Sequence, residues 1–98
     1  AMPDFTLSPL ANDDLYEIWV TIAEDHVGNA DRFIERLKLA MSRLAERPNM
    51  GHLREDLADD RLRVWAVKDY LIIYRPENRP IQIVRLVSGF RDLTELAT

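Results

Sequence analysis

The sequence predicts an α+β fold of order β-αα-βββ, a helical hairpin packed on one face of a small, mainly antiparallel sheet. Three observations predict it. Apolar side chains recur every three or four positions between Leu15 and Leu44, the spacing of helices with one buried stripe. After Asp60 the period shortens to two, the alternation of strands. The chain has 98 residues, which gives room for one core and predicts a single domain over residues 1–98.

The first strand is expected over residues 4–8, with Phe5 and Leu7 on one side. Ser8 followed by Pro9 then reads as a helix start, because a serine hydroxyl accepts an orphan backbone N–H and proline suits the first helical position. Leu15, Ile18, Trp19 and Ile22 form the apolar stripe of this helix, while Asp13, Asp14, Glu17 and Glu24 occupy its other faces. It should end within residues 25–28. A second helix is expected from about Asn29, a good cap, and carries Ala30, Phe33, Leu37, Ala40 and Leu44, widened by Ile34 and Met41. Pro48, Asn49 and Gly51 close it, and residues 52–60 read as a charged connecting loop. Neither helix has the apolar area to stand alone, so both need a sheet to cover.

Three strand-like runs follow, at residues 62–67, 70–75 and 81–87. A two-residue turn at Lys68 and Asp69 places Val67 opposite Tyr70, and a four-residue turn at residues 77–80 places Pro76 opposite Ile81. Cross-strand neighbours share a face. One face then collects Leu62, Val64, Ala66, Leu71, Ile73, Arg75, Gln82, Val84 and Leu86. The other collects Arg63, Trp65, Val67, Tyr70, Ile72, Tyr74, Ile83, Arg85 and Val87. The nearly aliphatic face is expected to lie under the helices. The aromatic and basic face is expected to meet a partner, since Trp, Tyr and Arg are the side chains that interfaces favour. Arg63, Trp65, Tyr74 and Arg85 on this face, with Arg75 and Arg91 as further arginines of the basic C-terminal half, are the candidate partner-binding residues. A slip of one residue in either turn would exchange the faces.

The net charge of −4 conceals two unlike halves. Residues 1–60 hold 6 basic and 13 acidic side chains, whereas residues 61–91 hold 7 basic and 2 acidic ones. The second half reads either as a solvated arginine-bearing sheet or as a surface for an acidic partner or nucleic acid. With 0 cysteines, disulfides, thiolate nucleophiles and Cys-based zinc sites are excluded. Ala1 precedes Met2, the expected natural start. No export signal is recognisable and no apolar run approaches the ~18 residues of a membrane span, so the expectation is a soluble, cytoplasmic protein away from membranes. His26 and His52 stand outside any ligand pattern, and the adjacent pairs Asp13–Asp14 and Asp59–Asp60 read as capping or solvated acids rather than a metal site. With 3 glycines there is no phosphate-cradling loop or nucleophile elbow, and no cofactor is expected.

One further pattern spans nearly the whole chain. Asp25 and Ala30 lead into a helix ending Leu44-Ala45-Glu46-Arg47-Pro48, followed by Gly51-His52-Leu53-Arg54-Glu55-Asp56-Leu57. Then come Tyr70-Leu71-Ile72-Ile73-Tyr74-Arg75, Ile81-Gln82-Ile83-Val84-Arg85-Leu86 and the ending Gly89-Phe90-Arg91-Asp92-Leu93. This ordered set resembles the RelE/ParE toxins, and within them the ParE, or plasmid-stabilisation, branch. The resemblance implies a toxin of a type II toxin–antitoxin system, neutralised by a cognate antitoxin that wraps it in a hetero-oligomer. It also implies one of two targets, DNA gyrase for ParE-like members or messenger RNA on the ribosome for the endoribonucleases of the RelE branch.

The residues favour gyrase and a toxin without hydrolytic chemistry. Metal-free RNA cleavage needs a base for the 2′-hydroxyl, an acid for the leaving oxygen and cations for the phosphate. Arg75 and Arg91 match phosphate-binding positions of the nuclease branch, and Arg63 or Arg85 could join them. Arginine, however, is a poor general base, and residues 88–98 contain no Tyr, His or Lys. Ser88 stands where many relatives carry His. Tyr74 is the one substitute acid, and no catalytic residue is assigned. A third reading, a non-toxic relative kept as a complex-forming module, would show no growth defect on induction.

Overall fold

The computed structural model describes residues 5–54 and 61–89. Strand β1 (Phe5–Leu7) leads into helices α1 (Pro9–Ala23) and α2 (Val27–Glu46), then a 3-10 turn (Pro48–Met50) and a two-residue strand β2 (His52–Leu53). Strands β3 (Arg63–Val67), β4 (Tyr70–Arg75) and β5 (Ile81–Ser88) follow. The five strands form one sheet in the order β1-β5-β4-β3-β2, antiparallel except for the parallel pair β1 and β5. The helical hairpin lies on one face of this sheet, as the two periodicities predict. No helix among the described residues is long and apolar enough to cross a membrane.

The helix boundaries have local causes. Ser8 caps α1: its Oγ accepts from the Ala11 N–H at 3.0 Å, and Pro9 takes the first helical position. α2 starts two residues earlier than Asn29, because His26 does the capping. Its Nδ1 accepts the Asn29 N–H at 3.1 Å, so Asn29 already lies within the first turn. Across the hairpin the Trp19 indole N–H donates to Asp31 Oδ1 at 2.8 Å, and Phe33 tilts against Tyr70 with centroids 5.6 Å apart. The segment after α2 was expected to be loop throughout, but His52 and Leu53 pair with Val64 and Arg63 as an edge strand.

The strand register is as expected across β3 and β4, with Val67 opposite Tyr70, and across β4 and β5 as far as Tyr74 opposite Ile83. There the ladder shifts. Ile73 opposes Arg85 and Ile72 opposes Leu86, so Val84 is an extra residue, a β-bulge. The shift sends Leu86 to the helix side and Val87 to the other.

The choice of face is corrected. The core beneath the helices joins Ile18, Leu37, Met41 and Leu44 to Val67, Ile72, Tyr74, Ile81, Ile83 and Leu86, with Trp65 and Tyr70 at its margin. The aliphatic set Leu62, Val64, Ile73 and Val87, with Leu71 and Val84, forms a second buried cluster away from the helices. The helices thus cover the face assigned to a partner. The physical reason lies in area: aromatic rings bury about 150–250 Å² each, and two long helical stripes need that much sheet surface. Burying Tyr74 is affordable because its hydroxyl has two partners in the 3-10 turn, described below. Each fully buried Leu or Ile contributes about 1.5–3 kcal/mol on either face, so alternation alone does not choose between them.

The bulge is held by α1. Ser8 donates its hydroxyl to the Val84 carbonyl at 2.7 Å and its N–H to Ile83 O at 2.9 Å. Asp14 accepts Arg85 Nε and Nη2 at 2.7 and 3.0 Å and the Leu86 N–H at 3.0 Å. The pair is mostly buried, with side-chain exposures of 21% for Arg85 and 16% for Asp14, and the arginine's pKa is raised, first by its hydrogen bond to Asp14. Asp14→Ala leaves a guanidinium and an N–H without their acceptor and should lower stability by about 2–3 kcal/mol in urea denaturation. Glu17→Ala on the exposed side of α1 should change it by less than ~0.5 kcal/mol.

Candidate partner-binding surface

The six candidate residues do not converge on one open face. Arg63 and Tyr74 sit opposite each other across β3 and β4 and meet the 3-10 turn together. The Tyr74 hydroxyl donates to the Pro48 carbonyl at 2.6 Å and accepts the Gly51 N–H at 2.9 Å. Arg63 Nη1 donates to the Gly51 carbonyl at 2.7 Å. One tyrosine and one arginine therefore satisfy three backbone groups of a turn that has no regular ladder of its own. Gly51 is required here by close approach. A Cβ at this position would run into the Tyr74 hydroxyl and lie 2.8 Å from the Val64 carbonyl.

Tyr74 is fully buried, which corrects its placement on an outward aromatic face. Burial raises its pKa, outweighing the Gly51 hydrogen bond and the Arg63 charge, which lower it. The phenol keeps its proton at neutral pH, and both hydrogen bonds of that hydroxyl run to the chain's own backbone. Its role here is a structural pin.

Trp65 is half-buried at the edge of the helix-side core, and His52 on β2 stacks on it with ring centroids 6.1 Å apart and planes 17° apart. Leu53, next to His52, is 60% exposed. The β2–β3 margin thus presents an indole, an imidazole and an aliphatic side chain beside Arg63. The sequence predicts a loop over residues 52–60, whereas His52 and Leu53 form β2. Their only signal was the alternation His52, Leu53, Arg54 just after a glycine, too short to count as a strand. Arg85 turns to α1 and Asp14, away from this margin. Arg75 lies at the far end of β4, opposite Gln82, and Arg91 falls outside the described residues. Among the described residues, no group of three or more His, Cys, Asp or Glu side chains is placed to hold a metal ion.

Comparisons with known proteins agree with this architecture. The family model described as "ParE toxin of type II toxin-antitoxin system, parDE" matches residues 5–93. No curated protein matches the chain. Among solved structures, one titled "Chromosomal ParDE TA system from P. aeruginosa" shares the fold with a TM-score of 0.72 at 18% identity, over 89% of this chain and 96% of that one.

Removing the Tyr74 hydroxyl tests the pin. Tyr74→Phe strands the Gly51 N–H and the Pro48 carbonyl and should cost about 1–3 kcal/mol near neutral pH. Because the folded pKa is raised above the ordinary 10.0, the stability it carries is complete below that value and declines as pH rises beyond it, where the unfolded chain binds fewer protons than the folded one. Here the unfolded phenol ionises first, so chemical denaturation of the wild type and of Tyr74→Phe should give a gap that narrows above pH ~10.

Proposed function

We propose a toxin's role for this chain, which belongs to the ParE toxin family of type II toxin–antitoxin systems: it arrests growth by inhibiting DNA gyrase and is held inactive by a cognate antitoxin. The match of the family over residues 5–93 carries the proposal. The relative's title names a ParDE system, in keeping with an antitoxin as the partner.

The preference for gyrase over messenger RNA cleavage is supported by the condition of the two groups a nuclease reading needs most. The Tyr74 hydroxyl is buried and committed to Pro48 and Gly51. Arg85, one of the candidate phosphate clamps, is neutralised by Asp14. General acid catalysis requires a proton donor within reach of the leaving oxygen, and a buried phenol engaged with backbone does not offer one.

The antitoxin is proposed to engage the β2–β3 margin, where Trp65 and its stacked His52 supply rigid area, Leu53 an exposed anchor and Arg63 a charge. Tyr74, buried beside Arg63, fixes the turn from which β2 begins, whereas Arg85 is taken up by Asp14 and Arg75 stands at the far end of β4. Aromatic and arginine side chains dominate binding energy at such sites, so Trp65→Ala should weaken antitoxin binding by at least about tenfold, some 1.4 kcal/mol, in calorimetric titration.

Function is tested at two levels. Induction in cells should halt growth, and co-expression of the adjoining reading frame should restore it; unimpaired growth would favour the non-toxic module instead. Purified toxin should then inhibit supercoiling by purified gyrase. Full supercoiling at saturating toxin, with breaks in translated messages by primer extension, would replace gyrase by the ribosome.

A further inference from the structure

A second recess lies away from the β2–β3 margin, at the turn end of the β3–β4 hairpin. It is a groove of about 570 Å³ between the first turns of α2, the end of α1 and that turn. Ile22, Phe33 and Tyr70 give it an apolar wall, and Arg32, Arg36 and Lys68 outnumber the single acid of its lining, Asp69. Arg32 donates to Asn29 Oδ1, which leaves its charge unneutralised. Arg36 and Lys68 are exposed and take part in no ion pair among the described residues. Lys68 also holds a backbone φ of 52°, the left-handed region in which glycine and asparagine are favoured. A lysine there gains nothing for the turn. It does place an ammonium beside two guanidinium groups.

On the far side of Tyr70 the charge reverses. A neighbouring groove between α1 and β5 is lined by Asp13 and Glu17, with Tyr70 as the residue common to both recesses. Both carboxylates are exposed on α1 and are without an ion pair among the described residues. Asp14, the third acid of that groove, is occupied by Arg85. A chain crossing Tyr70 therefore passes from a positive recess to a negative one within a single segment.

We propose that the groove lined by Arg32, Arg36 and Lys68 seats an acidic segment of the antitoxin, with an apolar residue packed on Phe33 and Tyr70 and basic residues following toward Asp13 and Glu17. The proposal rests on the reading of the chain as an antitoxin-bound toxin and adds to it the charge order of the bound segment. Acidic peptide fits better than nucleic acid. Three of the eight lining residues, Ile22, Phe33 and Tyr70, are apolar or aromatic, and a polyanion would have to follow its path into the carboxylates beyond Tyr70. The reversal also sets direction, since a segment laid the other way would put like charges together at both ends.

Calorimetric titration of the whole toxin with the co-encoded antitoxin tests this. The double variant Arg36→Glu with Lys68→Glu should weaken binding by more than about tenfold, and the wild-type affinity should fall as salt is raised. Asp13→Lys with Glu17→Lys should weaken it as well. All four positions are exposed, and Lys68→Gly, which relaxes the turn while removing the charge, provides a variant whose folding is not in question. It should be at least as heat-stable as the wild type and still bind less tightly. Unchanged affinity in every one of these variants, with Trp65→Ala still weakening the complex, would overturn the groove assignment and leave the antitoxin reading standing. Absence of any binding by the wild-type toxin would overturn both. Binding of a labelled single-stranded oligonucleotide that disappears in the Arg36/Lys68 double variant would reassign the groove to phosphates.

Discussion

The joint between Asp14 and β5 is the contact on which the rest of the structure depends. β5 is the strand that every layer touches: it pairs with β1 on one side and β4 on the other, and α1 packs along it. At Val84 the strand takes in an extra residue, and an extra residue leaves ladder groups without partners. Ser8 and Asp14, one turn and a half apart at the start of α1, supply those partners. The helix is thereby anchored to the sheet where the sheet's own hydrogen bonding lapses. Because the bulge also exchanges Leu86 and Val87 between faces, the same contact decides which side chains the helical stripe meets.

A second constraint is that the sheet is apolar on both sides. Two buried clusters flank it, and β4 belongs to both through Ile72 and Tyr74 on one side and Ile73 on the other. A sheet of this kind has few open positions for binding on its faces, and the available ones fall at its margins. The β2–β3 edge is open in this sense, with His52 and Leu53 exposed. So is the turn between β3 and β4. The Tyr74 hydroxyl then acquires a purpose beyond the core: by fixing Pro48 and Gly51 it holds the short segment from which β2 begins.

Charge is sorted in space differently from its order along the chain. The C-terminal half is the basic one by count, but its arginines are dispersed: Arg85 into an ion pair with α1, Arg63 onto the Gly51 carbonyl, Arg75 to the far end of β4. The positive recess takes two of its three cations from the acidic half, from Arg32 and Arg36, one helical turn apart on α2. Only Lys68 comes from the C-terminal half, in the turn between β3 and β4. Charge per segment does not locate this recess, because folding brings i, i+4 neighbours of a helix next to a turn more than thirty residues away.

The amino-acid sequence by itself determined the types and order of the two helices and of every strand but β2, the hairpin register at Lys68–Asp69 and the family, since each depends on local periodicity, capping chemistry and an ordered set of residues. Ser8 with Pro9 was enough to start α1, and an alternating run after Asp60 was enough to call for strands. What only the tertiary structure decided was the side of the sheet on which the helices lie, the bulge at Val84, and the exposure of Tyr74 and Arg85. The run Tyr70–Arg75 is apolar on both faces, so its alternation carries almost no preference between them. That preference comes from contacts distant in sequence: Asp14 with Arg85, and the Tyr74 hydroxyl with Pro48 and Gly51. These exist only once the chain has closed on itself.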